Sequence, residues 1–181
     1  MKRTKDIIVT AFWQLLDEKP YSQITVKDIV TRCQVNRNTF YYHFHDIPEL
    51  VAYSLREDVD VIMKSGDRYA SLSECVIPLI RYSQQRKRAI LHLYRSVERE
   101  LFLQLLEYLT LYVAGIYLDT VTSSIPFDIT DSDKELLTHF YKSVLIGLSM
   151  DWLDHSMDYD LEAAVIRCRE LFVSFDLQKF F

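Results

Sequence analysis

From Asn36 to His45 the chain presents Arg37, Asn38, Thr39, Tyr41, Tyr42 and His43 with no carboxylate among them. These side chains suit the reading of DNA. Arg37 can donate to guanine O6 and N7 or to a phosphate, and Asn38 can pair bidentately with adenine N6 and N7. Thr39, Tyr41 and Tyr42 suit phosphate oxygens or thymine methyls. Upstream, Thr25, Val26 and Lys27 open a short helix whose first N–H groups, together with the Lys27 ammonium, can hold a backbone phosphate. At roughly 100° per residue, Phe40 and Phe44 define the buried side of a helix over this stretch. Tyr42 then points away from them, Asn38 and Thr39 flank it, and Arg37, Tyr41 and His43 lie at the margins. A helix meant only for water mixes in Asp or Glu; one meant for a polyanion cannot.

The elements that must carry these groups are marked by their caps. A first helix runs from about Thr4 to Lys19, with Ile7, Ile8, Ala11, Phe12, Leu15 and Leu16 at helical spacing and Pro20 closing it. Thr25 and Asp28 form a capping box, and Ile24 with Ile29 the accompanying hydrophobic staple, so a second helix starts at Val26. It must be short, because Asn36 is an N-cap for a third helix from Arg37 to Phe44. Two short capped helices joined by about three residues have helix-turn-helix geometry. Ile29, Val30, Cys33, Val35, Phe40 and Phe44 would knit the pair to the first helix. Asp46 caps again, with Pro48 in the first turn and Glu49 at the third position, and opens a long helix to about Met63.

Beyond Gly66 the pattern stays helical. Ser71 and Glu74 cap a segment expected to bend at Pro78, and Arg81 to Arg88 reads as a solvated turn. Helices over about 90–95 and 97–122 follow. A loop from Thr122 to Thr130 contains Ser123, Ser124, Ile125 and Pro126. The last two helices span about Asp131–His155 and Asp160–Asp176. The fold class is all-α, with about nine helices.

The composition agrees. Of 181 residues, 49 % are hydrophobic and only 3 are Gly and 4 Pro, which favours long helices over many short strands. The net charge of −5 excludes a protein that coats nucleic acid indiscriminately. It is unevenly spread: residues 1–50 balance at +1, so the rest carries −6, as expected if one end approaches phosphate. Cys33, Cys75 and Cys168 are odd in number and widely spaced, which argues for buried thiols in a reducing, cytoplasmic compartment rather than disulfides or zinc. No apolar leader precedes the first helix. The apolar run Leu101–Leu118 contains Gln104, Glu107 and Thr110, so it is expected to be a core helix and not a membrane span. There is no Gly-rich phosphate loop, HExxH or GxSxG, so an enzyme is disfavoured and no cofactor or metal is expected.

Ile24-Thr-Val-Lys-Asp-Ile-Val, Cys33-Gln-Val-Asn-Arg-Asn-Thr-Phe-Tyr-Tyr-His-Phe44 and Pro48-Glu-Leu50 together resemble the DNA-binding domain of the TetR family. The Asn-Arg-x-Thr-Phe-Tyr-Tyr-His-Phe version is most similar to its DhaS-like branch. The resemblance is strong over residues 4–60 and weakens afterwards, although Tyr141 to Trp152, with Gly147, also looks like the family's C-terminal pattern. It implies a helix-turn-helix domain over 1–46 and a helical effector-binding and dimerisation domain over 47–181. It further implies a homodimer on a near-palindromic double-stranded operator, controlled by a small-molecule effector. Repressor action is the more frequent mode in the family, and the DhaS-like branch leaves activation through a protein partner open. Two positions depart from the family. Gln34 stands where a turn glycine is usual, at a cost of about 1 kcal/mol or more if that residue is left-handed. His45 stands where a basic residue is common, which weakens one phosphate contact or makes it pH-sensitive.

In the body, the helix from Asp131 carries apolar groups on more than one side, and so does the last helix. Ser143, Gly147, Trp152, Cys168 and Phe172 are the candidate dimer contacts. Ser143 and Gly147, four apart, would allow close helix approach. Tyrosines crowd the middle helices, and buried phenols need hydrogen-bond partners that a ligand or water in a cavity would supply. Tyr53, Tyr94, Tyr108, Tyr112, His139 and Tyr141 are the candidate effector contacts. Asp151, Asp154, His155 and Asp158 have spacings that metal ligands could use, though a solvated helix end is the better reading, because acidic groups alone are weak evidence for a site.

Overall fold

The computed structural model describes residues 2–66, 69, 71–122 and 128–174. Among them are nine α-helices, a 3₁₀ turn at Tyr21–Gln23 and no strand. The helices are α1 (Lys2–Glu18), α2 (Val26–Arg32), α3 (Arg37–His43), α4 (Ile47–Lys64), α5 (Leu72–Gln85), α6 (Lys87–Ser96), α7 (Arg99–Thr122), α8 (Asp131–Asp154) and α9 (Leu161–Ser174). The all-α reading of the sequence holds. The expected loop residues Ser123, Ser124, Ile125 and Pro126, and the end of the last helix at Asp176, lie outside the described residues.

The expected turn at Arg81–Arg88 is a correction. α5 continues through Pro78 to Gln85, and a single residue, Arg86, separates it from α6. The basic and amide side chains of this stretch ride on helix surface instead of opening a loop.

By packing, the chain divides into two units, residues 1–61 with 86–106, and residues 62–85 with 107–181. In the first unit Ile8, Phe12 and Leu16 of α1 meet Ile29 of α2, Phe40 of α3, Phe44 just after it, and Leu50 and Val51 of α4. α6 joins this core through Ala89 and Leu93. His92 Nδ1 lies 2.7 Å from the Leu16 carbonyl oxygen, where it donates when protonated at that nitrogen. These units cut the chain differently from a division at residue 46, because α6 and the first turns of α7 pack with the N-terminal helices.

In the second unit α5 packs on α9, where Arg81 Nε donates to Glu162 Oε2 at 2.9 Å. α7 is long and apolar enough to cross a membrane by length and composition alone. Its Glu107 is paired with Lys142 of α8 at 2.6 Å, and its Val113, Ala114 and Leu118 are buried within the protein. Tyr117 stacks edge-on to Tyr141 at 5.1 Å, and its phenol is pushed up to about 12, first by burial and then by Tyr141. α8 ends in a turn where Met157 N–H donates to the Trp152 carbonyl at 2.7 Å and Ser156 N–H to that of Leu153 at 2.9 Å, the two bonds of a Schellman cap. Ser156 and Met157 both take positive φ there, 59° and 55°. Cys33 is half-buried and Cys75 buried, whereas Cys168 is exposed, which corrects the buried-thiol expectation for α9.

Candidate nucleic-acid interface

Thr25 starts α2 from an extended conformation (φ −116°), and its hydroxyl accepts from Asp28 N–H at 3.2 Å. Asp28 reciprocates by accepting from Thr25 N–H at 2.9 Å and takes a further bond from Lys19 Nζ at 2.9 Å. The Lys19 bond and the two from Thr25 hold the Asp28 carboxyl down to about 2. The capping box is therefore as the sequence requires, and Lys19 is committed to it. Val26 is half-buried against the core, so its side chain is structural, while Lys27 is exposed.

The α2–α3 turn closes with Val35 N–H donating to the Val30 carbonyl at 3.0 Å, and Gln34 takes φ 56°. This is a second Schellman cap, with glutamine in the left-handed position that glycine normally fills. Gln34→Gly is expected to raise stability by about 1 kcal/mol by removing that strain. Gln34→Val should lower it, and thermal melting of the two variants checks the sign.

Asn36 caps α3: its Oδ1 accepts from Thr39 N–H at 2.7 Å and from the Thr39 hydroxyl at 3.0 Å. Those two side chains orient the helix, and the groups presented to solvent are Arg37, Asn38, Tyr41 and Tyr42. Tyr42 is 70 % exposed, whereas Phe40 is 0 % exposed and Phe44 1 %. Phe40, Phe44 and Tyr42 thus lie on the sides expected, whereas Thr39, expected beside Tyr42, is half-buried with its hydroxyl committed to the Asn36 cap. His43 is half-buried, with its ring edge-on to Tyr42 at 5.0 Å.

His45 is exposed but has acidic company. Its Nδ1 lies 3.2 Å from Asp46 Oδ2, and its backbone N–H donates to Glu49 Oε2 at 2.6 Å. Asp46 in turn accepts from Glu49 N–H at 2.8 Å to cap α4. Beside α3 a groove of about 350 Å³ is lined by Tyr21, Ser22, Val26, Tyr41 and His45 among others. Tyr21 and Ser22 have no signal in the sequence, because a three-residue 3₁₀ turn leaves no periodic pattern.

Tyr53, with Lys5 Nζ 4.4 Å from its ring centre, and Tyr94, which accepts from Arg99 Nη1 at 2.6 Å, belong to the first unit. Tyr108 (45 % exposed), Tyr112, the exposed His139 and Tyr141 belong to the second. Neither unit gathers all six. Ser143, Gly147, Cys168 and Phe172 are exposed on α8 and α9. Trp152 is not: it is 5 % exposed, and its Nε1 donates to the Tyr159 carbonyl at 3.0 Å. The turn after α8 folds Tyr159 back over the indole, so Trp152 is a core residue of the protomer. Asp151, Asp154, His155 and Asp158 form no ligand set; among the described residues no three such side chains converge. Asp151 instead accepts from the Tyr159 hydroxyl at 2.6 Å.

Two short capped helices, joined by a left-handed turn and exposing a carboxylate-free face, define a helix-turn-helix transcription regulator. The chain belongs to the TetR family: residues 8–53 match the family described as bacterial regulatory proteins, tetR family, and residues 71–173 that described as transcriptional regulator C-terminal region. It is 32 % identical over 85 residues to the HTH-type dhaKLM operon transcriptional activator DhaS of Lactococcus lactis subsp. lactis (strain IL1403). That match spans 46 % of this chain and 45 % of the relative, about half the length of each. A solved structure of a dihydroxyacetone kinase operon activator DhaS shares the fold, with a TM-score of 0.75, 18 % identity and 96 % of each chain covered.

Proposed function

We propose that this TetR-family regulator acts as a cytoplasmic homodimer that seats α3 of each protomer in successive major grooves of a near-palindromic operator. Residues 1–46 contact DNA, and 47–181 hold the dimer contacts and respond to a small molecule. The observation that carries the reading is the outward face of α3, where Arg37, Asn38, Tyr41 and Tyr42 are exposed together without a carboxylate. Repression follows from occupying a promoter. Activation is the second reading, favoured by the 32 % identity over 85 residues to a protein described as an activator.

Sequencing the DNA that copurifies with the protein identifies the operator, and a reporter behind it gives the sign of regulation. On that operator, Arg37→Ala and Tyr42→Ala should each weaken binding by about 5- to 150-fold, corresponding to roughly 1–3 kcal/mol per lost contact. Both side chains face solvent, so melting temperature should stay within about 2 °C of wild type. Binding should also weaken steeply with salt as phosphate counterions are displaced. Unfolding by Tyr42→Ala with operator affinity spared would refute the face assignment.

A further inference from the structure

Within the first unit lies a partly open cavity of about 490 Å³, walled by one face of α1, by α4 and by the start of α6. Asp6, Thr10, Trp13 and Asp17 line it from α1, three or four residues apart and therefore on one helical stripe. Tyr53, Glu57 and Asp58 line it from α4. Four carboxylates face a single guanidinium, Arg86, which leaves an excess of three negative charges.

The aromatic walls already attract the protein's own cations. The Arg86 guanidinium stands 4.9 Å over the Trp13 ring and 4.0 Å from Asp58, and Lys5 Nζ lies 4.4 Å from the Tyr53 ring centre. Cations are drawn to such rings by the ring quadrupole. Trp13 itself is 6 % exposed, and its indole N–H is buried without an acceptor. Val9, Val61 and Ala89 supply apolar wall between the charges.

We infer that this cavity binds a small organic cation, an amine or quaternary ammonium with an aromatic or apolar body. The carboxylates select the charge, and the rings and aliphatic wall hold the body. The site is separate from the α3 face and shares only Tyr53 with the tyrosine set singled out from the sequence.

A matched pair of probes tests this: tyramine, and 3-(4-hydroxyphenyl)propionate, which carries a carboxylate in place of the ammonium. Calorimetry and tryptophan fluorescence on the intact protein should show saturable binding of tyramine that weakens with salt. The anion should bind at least about tenfold more weakly, and the double variant Asp17→Asn/Glu57→Gln should lose about tenfold or more in tyramine affinity. Asp17 and Glu57 are exposed, so the variant should melt like wild type. Absence of saturable tyramine binding up to about 10 mM, equal affinity for the anion, or unchanged affinity in the double variant would each overturn the assignment. The assay contains no DNA, so its failure leaves the operator-binding reading untouched.

Discussion

Phe40→Ala is expected to destabilise the first unit by about 3–5 kcal/mol, the range for truncating a fully buried phenylalanine. Phe40 is 0 % exposed, and its ring lies 5.5 Å from that of Tyr41 and 6.0 Å from that of Phe44. It belongs to the cluster that joins α1, α2, α4 and α6, so the cavity left behind cannot be refilled by one neighbour relaxing. Set against a typical total of about 5–15 kcal/mol, such a loss would melt much of the head at growth temperature. Denaturant titration of the intact protein measures it. The contrast with Tyr42→Ala, two residues away on the same helix, is the sharper check. A loss below about 1 kcal/mol at Phe40 would mean that α3 is held by something other than its aromatic underside.

Gly147→Trp is expected to convert the dimer to monomer and to weaken operator binding by about 100-fold or more, because each head contributes one half-site of the pair. Leu136, Phe140, Val144 and Leu148 recur every four residues along α8 and are 69, 58, 37 and 39 % exposed. A row of large apolar side chains this exposed marks a surface for another helix. Gly147 is exposed, and a Cβ there would meet nothing within 4 Å in the protomer, so a new side chain starts out toward open space. Loss of assembly would then report on the subunit contact and not on folding. Sedimentation and circular dichroism separate the two. Wild-type protein that sediments as a monomer at micromolar concentration would overturn the proposed contact.

The helix-turn-helix was legible because its signals are local. Thr25 with Asp28 and Asn36 with Thr39 close hydrogen bonds over three residues. Phe40 and Phe44 declare the buried side of α3 by spacing alone, so Tyr42 is exposed by elimination. The left-handed Gln34 was within reach only through the family resemblance, because it stands where a turn glycine is usual. In the body, the expected span Asp131–His155 matches α8 to within a residue, and the structure shows Thr130 and Asp133 capping its start.

Longer-range matters were not readable. Helical periodicity says that a face is apolar, not whether its own chain or a second copy covers it. Trp152 and Phe140 therefore look alike in the sequence, yet one is 5 % exposed and the other 58 %. Tyrosines at similar spacing fell into different units, and α6, distant in sequence from α1, packs on it through Ala89 and Leu93. The acidic wall and unpaired indole of the α1–α4–α6 cavity exist only once those helices meet. Capping and turn chemistry act over three to five residues and were determined by the sequence alone. The partner of each apolar face depends on contacts between distant segments, and only the tertiary structure decided it.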